Sequence, residues 1–113
     1  MVKHLQIATN ETFASLVLEA EGPIVVEFMS YSCEHCRAME PFLEKVAALV
    51  GSRVKIIQVN MATDVHLGDR YGVHVTPTLI MFYQGYKIGQ VANLKPSVPS
   101  ILTAITLPFR SLP

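Results

Sequence analysis

Pro23-Ile24-Val25-Val26-Glu27-Phe28-Met29, followed after three residues by Cys33-Glu34-His35-Cys36, is the stretch on which the fold turns. The first segment is an unbroken apolar run with a single charge, the pattern of a strand buried on both faces. Beyond the cysteines, Met39, Phe42, Leu43, Val46, Ala47 and Val50 recur at helical spacing. Cys33 therefore falls at a helix N-terminus, with Cys36 one turn inside. Cys36 precedes Met39 by three residues and Leu43 by seven, so it shares the buried stripe, while Cys33 stays at the exposed end. The unpaired N–H groups and the macrodipole of a helix start favour a thiolate over a thiol. Cys33 is thus the candidate nucleophile, and Cys36 the thiol that resolves the mixed disulfide it forms.

The rest of the composition agrees with a redox role for the pair. A chain of 113 residues is one domain, 1–113, long enough to bury about two-thirds of its unfolded surface. Half of the residues are apolar and 16% are charged, which excludes a disordered chain. The formal net charge is zero and there is no basic run, which argues against nucleic acid as a partner. No stretch approaches the roughly 20 apolar residues of a membrane span. Met1-Val2-Lys3-His4-Leu5-Gln6 has no apolar signal core, so the sequence reads as cytoplasmic, and as a monomer. Two cysteines are too few for a disulfide scaffold, and the small loop between them would stabilise little.

Working outward, residues 3–7 suit a short first strand. Thr9 or Asn10 is placed to cap a helix that carries Phe13, Leu16, Val17 and Ala20 on one face and ends near Gly22. The long helix after Cys33 contains Pro41, where a kink is expected, and stops at Gly51. Residues 53–60 are rich in β-formers. Thr63 is placed to cap a short helix ending at Gly72. Residues 78–83 form a strand that Gln84-Gly85 turns into another at 86–91. Ser97 and Pro99 start a last helix with Val98, Ile101, Leu102 and Ile105 as its apolar stripe, ended by Pro108. The order β-α-β-α-β-α-β-β-α predicts an α/β fold, a central mixed sheet with helices on both faces.

The strand–Cys-x-x-Cys–helix unit, Pro41, Tyr71-Gly72-Val73, Thr76-Pro77-Thr78 and the terminal hairpin plus helix together resemble the thioredoxin family across nearly the whole chain. Pro77 lies 44 residues after Cys33, close to that family's spacing between nucleophile and cis-proline. The resemblance implies the thioredoxin fold, thiol–disulfide exchange with protein disulfides or dithiols, and no cofactor of its own. It also implies that Glu27 relays a proton to and from Cys36, and that Thr76-Pro77 presents a backbone edge to a substrate strand. Tyr31, Val75 and Ala92 would then rim the substrate groove. By family analogy, a reductant of this kind needs an external electron donor, a flavin enzyme using NADPH.

Departures from the family pattern bear on the substrate class. Ser32 stands where the family usually has Trp, and the chain has no tryptophan. Glu34-His35 is neither the Gly-Pro of reducing thioredoxins nor the Gly-His of disulfide isomerases, although His35 and Glu27-Phe28 are similar to the isomerases. Gln58 occupies the neighbouring-strand position where family members often carry a lysine, with Lys55 three residues earlier. Val75 replaces a frequent glycine and should narrow the groove. Protonated His35 would stabilise the Cys33 thiolate and make the protein more oxidising, while Glu34 would oppose it.

The same residues admit other readings. The cysteines also suit a pair of small buried apolar residues in a redox-inactive interaction module of the same fold. Cys-x-x-Cys supplies only two zinc ligands, and His4, His35, His66 and His74 form no second close pair. Covalent haem is excluded because Arg37, not His, follows the second cysteine. Glu27 could sit at a strand end and reach solvent, and His35 could be an exposed loop histidine. Met39, Met61 and Met81 read as core filler, and His4, His66 and His74 as surface residues.

Overall fold

The computed structural model describes residues 5–112, so His4 and the first two residues of the expected opening strand lie outside the described residues. Five strands, β1 (Gln6–Ile7), β2 (Pro23–Met29), β3 (Lys55–Asn60), β4 (Thr78–Tyr83) and β5 (Tyr86–Ala92), form one sheet in the order β1-β3-β2-β4-β5. The β1–β3 and β3–β2 pairs are parallel, and β2–β4 and β4–β5 are antiparallel. A parallel pair needs a crossover, and α1 (Glu34–Val50) supplies the one between β2 and β3. Helices α2 (Val65–Arg70) and α3 (Val98–Thr106) complete the α/β architecture expected from the sequence.

Alternation along the strands divides the interior into two cores. Ile24, Val26 and Phe28 of β2 pack on one face with Phe13, Val17 and Leu67. Val25 points to the other face, with Met39, Leu43 and Val46 of α1 and Ile101 and Ile105 of α3. The same alternation sends Glu27 to the α1 side of the sheet. Its register partners are Gln58 on β3 and Leu79 on β4. β2 is therefore central in sequence pattern and in space, so a side chain on it must be apolar or find a partner inside.

Most boundaries fall where the punctuation residues place them. Gly51 ends α1 with φ +58° and its N–H on Ala47 O, and Pro41 lies inside α1 without ending it. Ser97 caps α3, its hydroxyl oxygen accepting the Ser100 N–H at 3.2 Å. Gln84 and Gly85 both have positive φ, the backbone of a two-residue hairpin turn that follows the strand twist.

Two expectations need correction. The helix expected to run to about Gly22 is a short π-helical segment, Ala14–Leu18, closed by the Glu19 N–H on Ala14 O at 2.8 Å. The hairpin tip packs against its end: a methyl group at Gly85 would lie 2.9 Å from the Leu18 carbonyl oxygen. Thr63 does not cap α2 either; Asp64 occupies the cap position. The Thr63 hydroxyl donates to Asp64 Oδ2 (2.8 Å), and Asp64 Oδ1 accepts the Asn10 N–H (2.9 Å). The buried carboxylate thus ties the β3–α2 loop to the segment after β1. Among the described residues, no helix is long and apolar enough to cross a membrane.

Candidate active site

The two cysteines meet at the β2–α1 junction, where the chain leaves the central strand and turns into the helix. Cys33 is the N-cap residue of α1, with extended backbone (φ −82°, ψ 115°). Its sulfur accepts the Cys36 N–H at 3.1 Å, so the side chain occupies the place of a capping oxygen. The Cys33 thiol also lies 3.6 Å from the Thr76 carbonyl oxygen, to which it can donate. Cys33 is half-buried, whereas Cys36 is 5% exposed and packed on the inner stripe of α1.

Burial acts on both sulfurs, but different effects win. At Cys33, burial raises the thiol pKa and is the largest single influence. Hydrogen bonds involving the Cys36 thiol, the Thr76 side chain and the backbone N–H groups of Cys36 and His35 together outweigh it and hold Cys33 below its ordinary value. At Cys36, burial and the hydrogen bond to Cys33 reinforce each other, pushing the thiol up to about 11. Hydrogen bonding thus lowers one thiol, while burial raises the other.

Glu27 lines one small cavity with Cys36. Glu27 is 1% exposed, so the alternative in which it reaches solvent fails. Oε1 accepts the Gln58 amide N–H at 2.8 Å, and Oε2 has no hydrogen-bond partner among the described residues. Burial pushes the carboxyl up to about 7, with the Gln58 hydrogen bond opposing and the nearby Glu40 charge assisting. Glu27, Cys36, Glu40, Arg37 and Gln58 line a cavity of about 10 Å³. That is room for one water at most.

Of the remaining expected site residues, Thr76 meets Cys33 through its carbonyl oxygen, and Tyr31 lines the small cavity with Cys36. The Thr76–Pro77 bond is cis, and the Thr78 hydroxyl donates to Val75 O at 2.7 Å, closing the turn. Tyr31 (57% exposed) and Val75 (46% exposed) are large apolar side chains left open to solvent. Ala92 is exposed and is paired with Thr78 across β4 and β5. His35 is half-buried, and its Nε2 donates to the Leu94 carbonyl at 2.8 Å, a carbonyl being able only to accept. The imidazole is thus tied to the β5–α3 loop, while its backbone N–H acts on Cys33.

Glu40, Arg37 and the Leu94 carbonyl escaped the sequence reading. Glu40 had a usable signal, since it lies four residues after Cys36 and so on the same helix face. Leu94 had none, being 59 residues from His35. A larger cavity of about 430 Å³, lined by Val50, Arg53, Leu102 and Arg110, lies at the far end of α1. It is separated from Cys33 by the helix length, about 25 Å. Among the described residues no three His, Cys, Asp or Glu side chains are grouped as metal ligands.

The thioredoxin family model matches residues 4–103 of this chain. Thioredoxin 1 of Synechococcus elongatus is 31% identical over 99 residues, covering 88% of this chain and 90% of that protein. Thioredoxin 1 of Nostoc sp. is 30% identical over 88 residues, covering 78% and 82%. A probable protein disulfide-isomerase A6 of Medicago sativa is 36% identical over 89 residues. That match takes in 77% of this chain but spans only 24% of the isomerase.

The asymmetry of the sulfurs predicts which one reacts with an alkylating agent. Reduced protein treated with limiting iodoacetamide at pH 7 should be labelled first at Cys33. With Cys36 near pH 11, only on the order of one molecule in 10,000 carries that thiolate at pH 7. Peptide mapping reads the outcome, and preferential labelling of Cys36 would reverse the assignment.

The burial of Glu27 predicts an unusual pH dependence of stability. Its folded pKa of about 7 lies above the ordinary 4.5, so the unfolded chain releases this proton first as pH rises. Stability should therefore fall between about pH 4.5 and 7 and stay reduced above, by about 3 kcal/mol. Glu27→Gln keeps an acceptor for Gln58 and removes the titration. Urea denaturation of the reduced proteins should show the variant more stable than wild type at pH 8 and equal to it near pH 4. A gap that does not change with pH would contradict the assignment.

Proposed function

The chain belongs to the thioredoxin family of thiol–disulfide oxidoreductases, and on that premise we propose that Cys33 and Cys36 exchange their dithiol for the disulfides of protein substrates. The observation that carries the reading is the division of labour between the sulfurs, one held below its ordinary pKa and the other raised to about 11 above a buried acid. The Cys33 thiolate attacks one sulfur of a substrate disulfide. A mixed disulfide forms, and the other substrate sulfur leaves as a thiolate. Cys36 then gives its proton to Glu27 and attacks the Cys33 sulfur. The Cys33–Cys36 disulfide forms, the second substrate sulfur leaves, and two electrons have passed to the substrate. A carboxyl near pKa 7 is well matched to take up and return a proton at neutral pH.

The substrate is proposed to lie along the cis-Pro77 turn, pairing with the backbone at Thr76 and covering Tyr31 and Val75. Their exposure beside Cys33 supports this, because an apolar rim left in water gains by burial. A flavin reductase drawing on NADPH is the proposed source of electrons. Two cysteines without a wider disulfide framework suit a reducing compartment such as the cytoplasm.

The decisive experiment is trapping. Cys36→Ser should accumulate Cys33-linked mixed disulfides with a reducible protein such as insulin, because nothing then resolves them. Cys33→Ser should accumulate none. Absence of trapping, with both thiols unreactive in the wild type, would leave a redox-inactive binding module of the same fold.

His35 is proposed to set the redox poise. Its backbone N–H holds the Cys33 thiol down. His35→Pro removes both the N–H and the ring, so the Cys33 pKa should rise and the reduced form should be less favoured. Each pKa unit corresponds to about 30 mV. Wild type should lie between about −270 mV, typical of a reducing thioredoxin, and about −180 mV, typical of a disulfide isomerase, with His35→Pro more negative. Titration against glutathione measures both; a less negative potential in the variant would remove His35 from this role.

A further inference from the structure

The small cavity beneath the cysteines shares three of its walls with a second, outer one. Tyr31, Glu40 and Gln58 line both the cavity of about 10 Å³ that holds Glu27 and Cys36 and a neighbouring cavity of about 120 Å³. The outer cavity is completed by Leu5, Ile7 and Glu44. Its walls reach the surface, since Tyr31 is 57% and Ile7 43% exposed. Of the three shared walls, Glu40 alone is a carboxylate. It is half-buried and lies one turn beyond Cys36 on the same face of α1.

This placement meets a need that the proposed reaction creates. Glu27 is sealed from water, and its Oε2 lacks a partner among the described residues. With its carboxyl held near 7, Glu27 already carries a proton in about half of the molecules at neutral pH, and in those it can accept from Cys36 only after that proton has an exit. We propose that Glu40 is the outer member of a two-carboxylate relay, taking the proton that Glu27 receives from Cys36 and releasing it through the outer cavity to solvent. The inference rests on the oxidoreductase reading above.

The step balances. As Cys36 attacks, its S–H bond breaks, its electron pair forms the bond to Cys33, and the proton moves to Glu27. Glu27 then loses that proton to ionised Glu40 across the small cavity, and Glu40 returns to its ionised form by releasing it outward. Glu40 touches neither reacting sulfur; it acts through Glu27 and is a positioning residue in that sense. The groups around Glu27 are consistent with this direction. From α1 come Cys36, Glu40 and Arg37, whose guanidinium donates to Tyr31 O at 2.8 Å. From β3 comes the neutral amide of Gln58, and from β4 the apolar Leu79. The Glu40 charge is among the influences that raise the Glu27 carboxyl, which keeps that proton within reach of neutral pH.

The test uses the full chain and a small aromatic disulfide that releases a coloured thiolate, so that no protein substrate is needed. Reduced protein should release one equivalent as Cys33 attacks and a second as Cys36 resolves the adduct. Glu40→Gln should leave the first release unchanged and slow the second about tenfold near pH 7. The slowing should shrink at high pH and be relieved by Glu40→Asp or by added imidazole as a diffusible base. In parallel, the Glu27 carboxyl signal, followed by carbon-13 NMR, should titrate at lower pH in Glu40→Gln than in wild type. A second release as fast as wild type, or a slow one that neither aspartate nor imidazole relieves, would overturn the relay. If the two-step release and its dependence on Glu40 persist while protein disulfides are not reduced, the relay stands and the protein-substrate reading fails.

Discussion

The burial of one ionisable side chain in the central strand is the constraint around which the active-site end of the molecule is organised. β2 lies between β3 and β4 and packs on both faces, so every side chain it carries must be apolar or find a partner inside. Glu27 finds half of one. Gln58 satisfies Oε1, while Oε2 has no partner among the described residues, and the cavity that Glu27 lines holds one water at most. A neutral amide orients the carboxyl without contributing a compensating charge, and burial prevails. An acid that would be ionised throughout the neutral range on the surface is therefore held near pH 7. The fold carries an energetic cost at this position, and the proton relay proposed for Glu27 would use a group with that property.

The cysteines illustrate how a step of three residues separates two fates of the same functional group. Both feel desolvation, yet Cys33 stands at the free end of the helix, where backbone N–H groups have no intrahelical acceptor. Its sulfur fills that role, and each hydrogen bond it accepts is worth more to the anion than to the thiol. Cys36 lies one turn deeper, where the N–H groups are already engaged and the surroundings are Met39 and its neighbours. Hydrogen bonding wins at the first sulfur and desolvation at the second. Thr76 contributes at both, so the cis-Pro77 turn belongs to the electrostatics of the pair as well as to the groove beside it.

What the sequence reveals follows from periodicity and punctuation. The exposed and buried cysteines were legible because the stripe from Met39 to Val50 fixes the angular position of Cys36, and the hairpin was legible because Gln84-Gly85 supplies two positive-φ positions. The Glu27–Gln58 contact was legible once β2 and β3 were placed side by side. Other features depend on packing between segments far apart in the chain. The end of the π-helical segment is set by the hairpin tip at Gly85, and the start of α2 by the engagement of Asp64 with Asn10. Glu40 gave a helical-face signal, but its importance depends on where β1 and Tyr31 leave space around it. No local pattern contains that information.

His35 shows how such a long-range contact alters a local electrostatic argument. From the sequence alone, an imidazole beside a thiolate is a cation whose charge tunes the sulfur. In the folded chain its Nε2 is committed to the Leu94 carbonyl, and the hydrogen bond it offers Cys33 comes from the backbone. The two roles of this residue, holding the β5–α3 loop and biasing the thiolate, therefore run through different atoms. The shape of the rim near Ala92 and the electrostatics of Cys33 therefore meet in one residue of the Cys-x-x-Cys loop, through its ring and its backbone N–H.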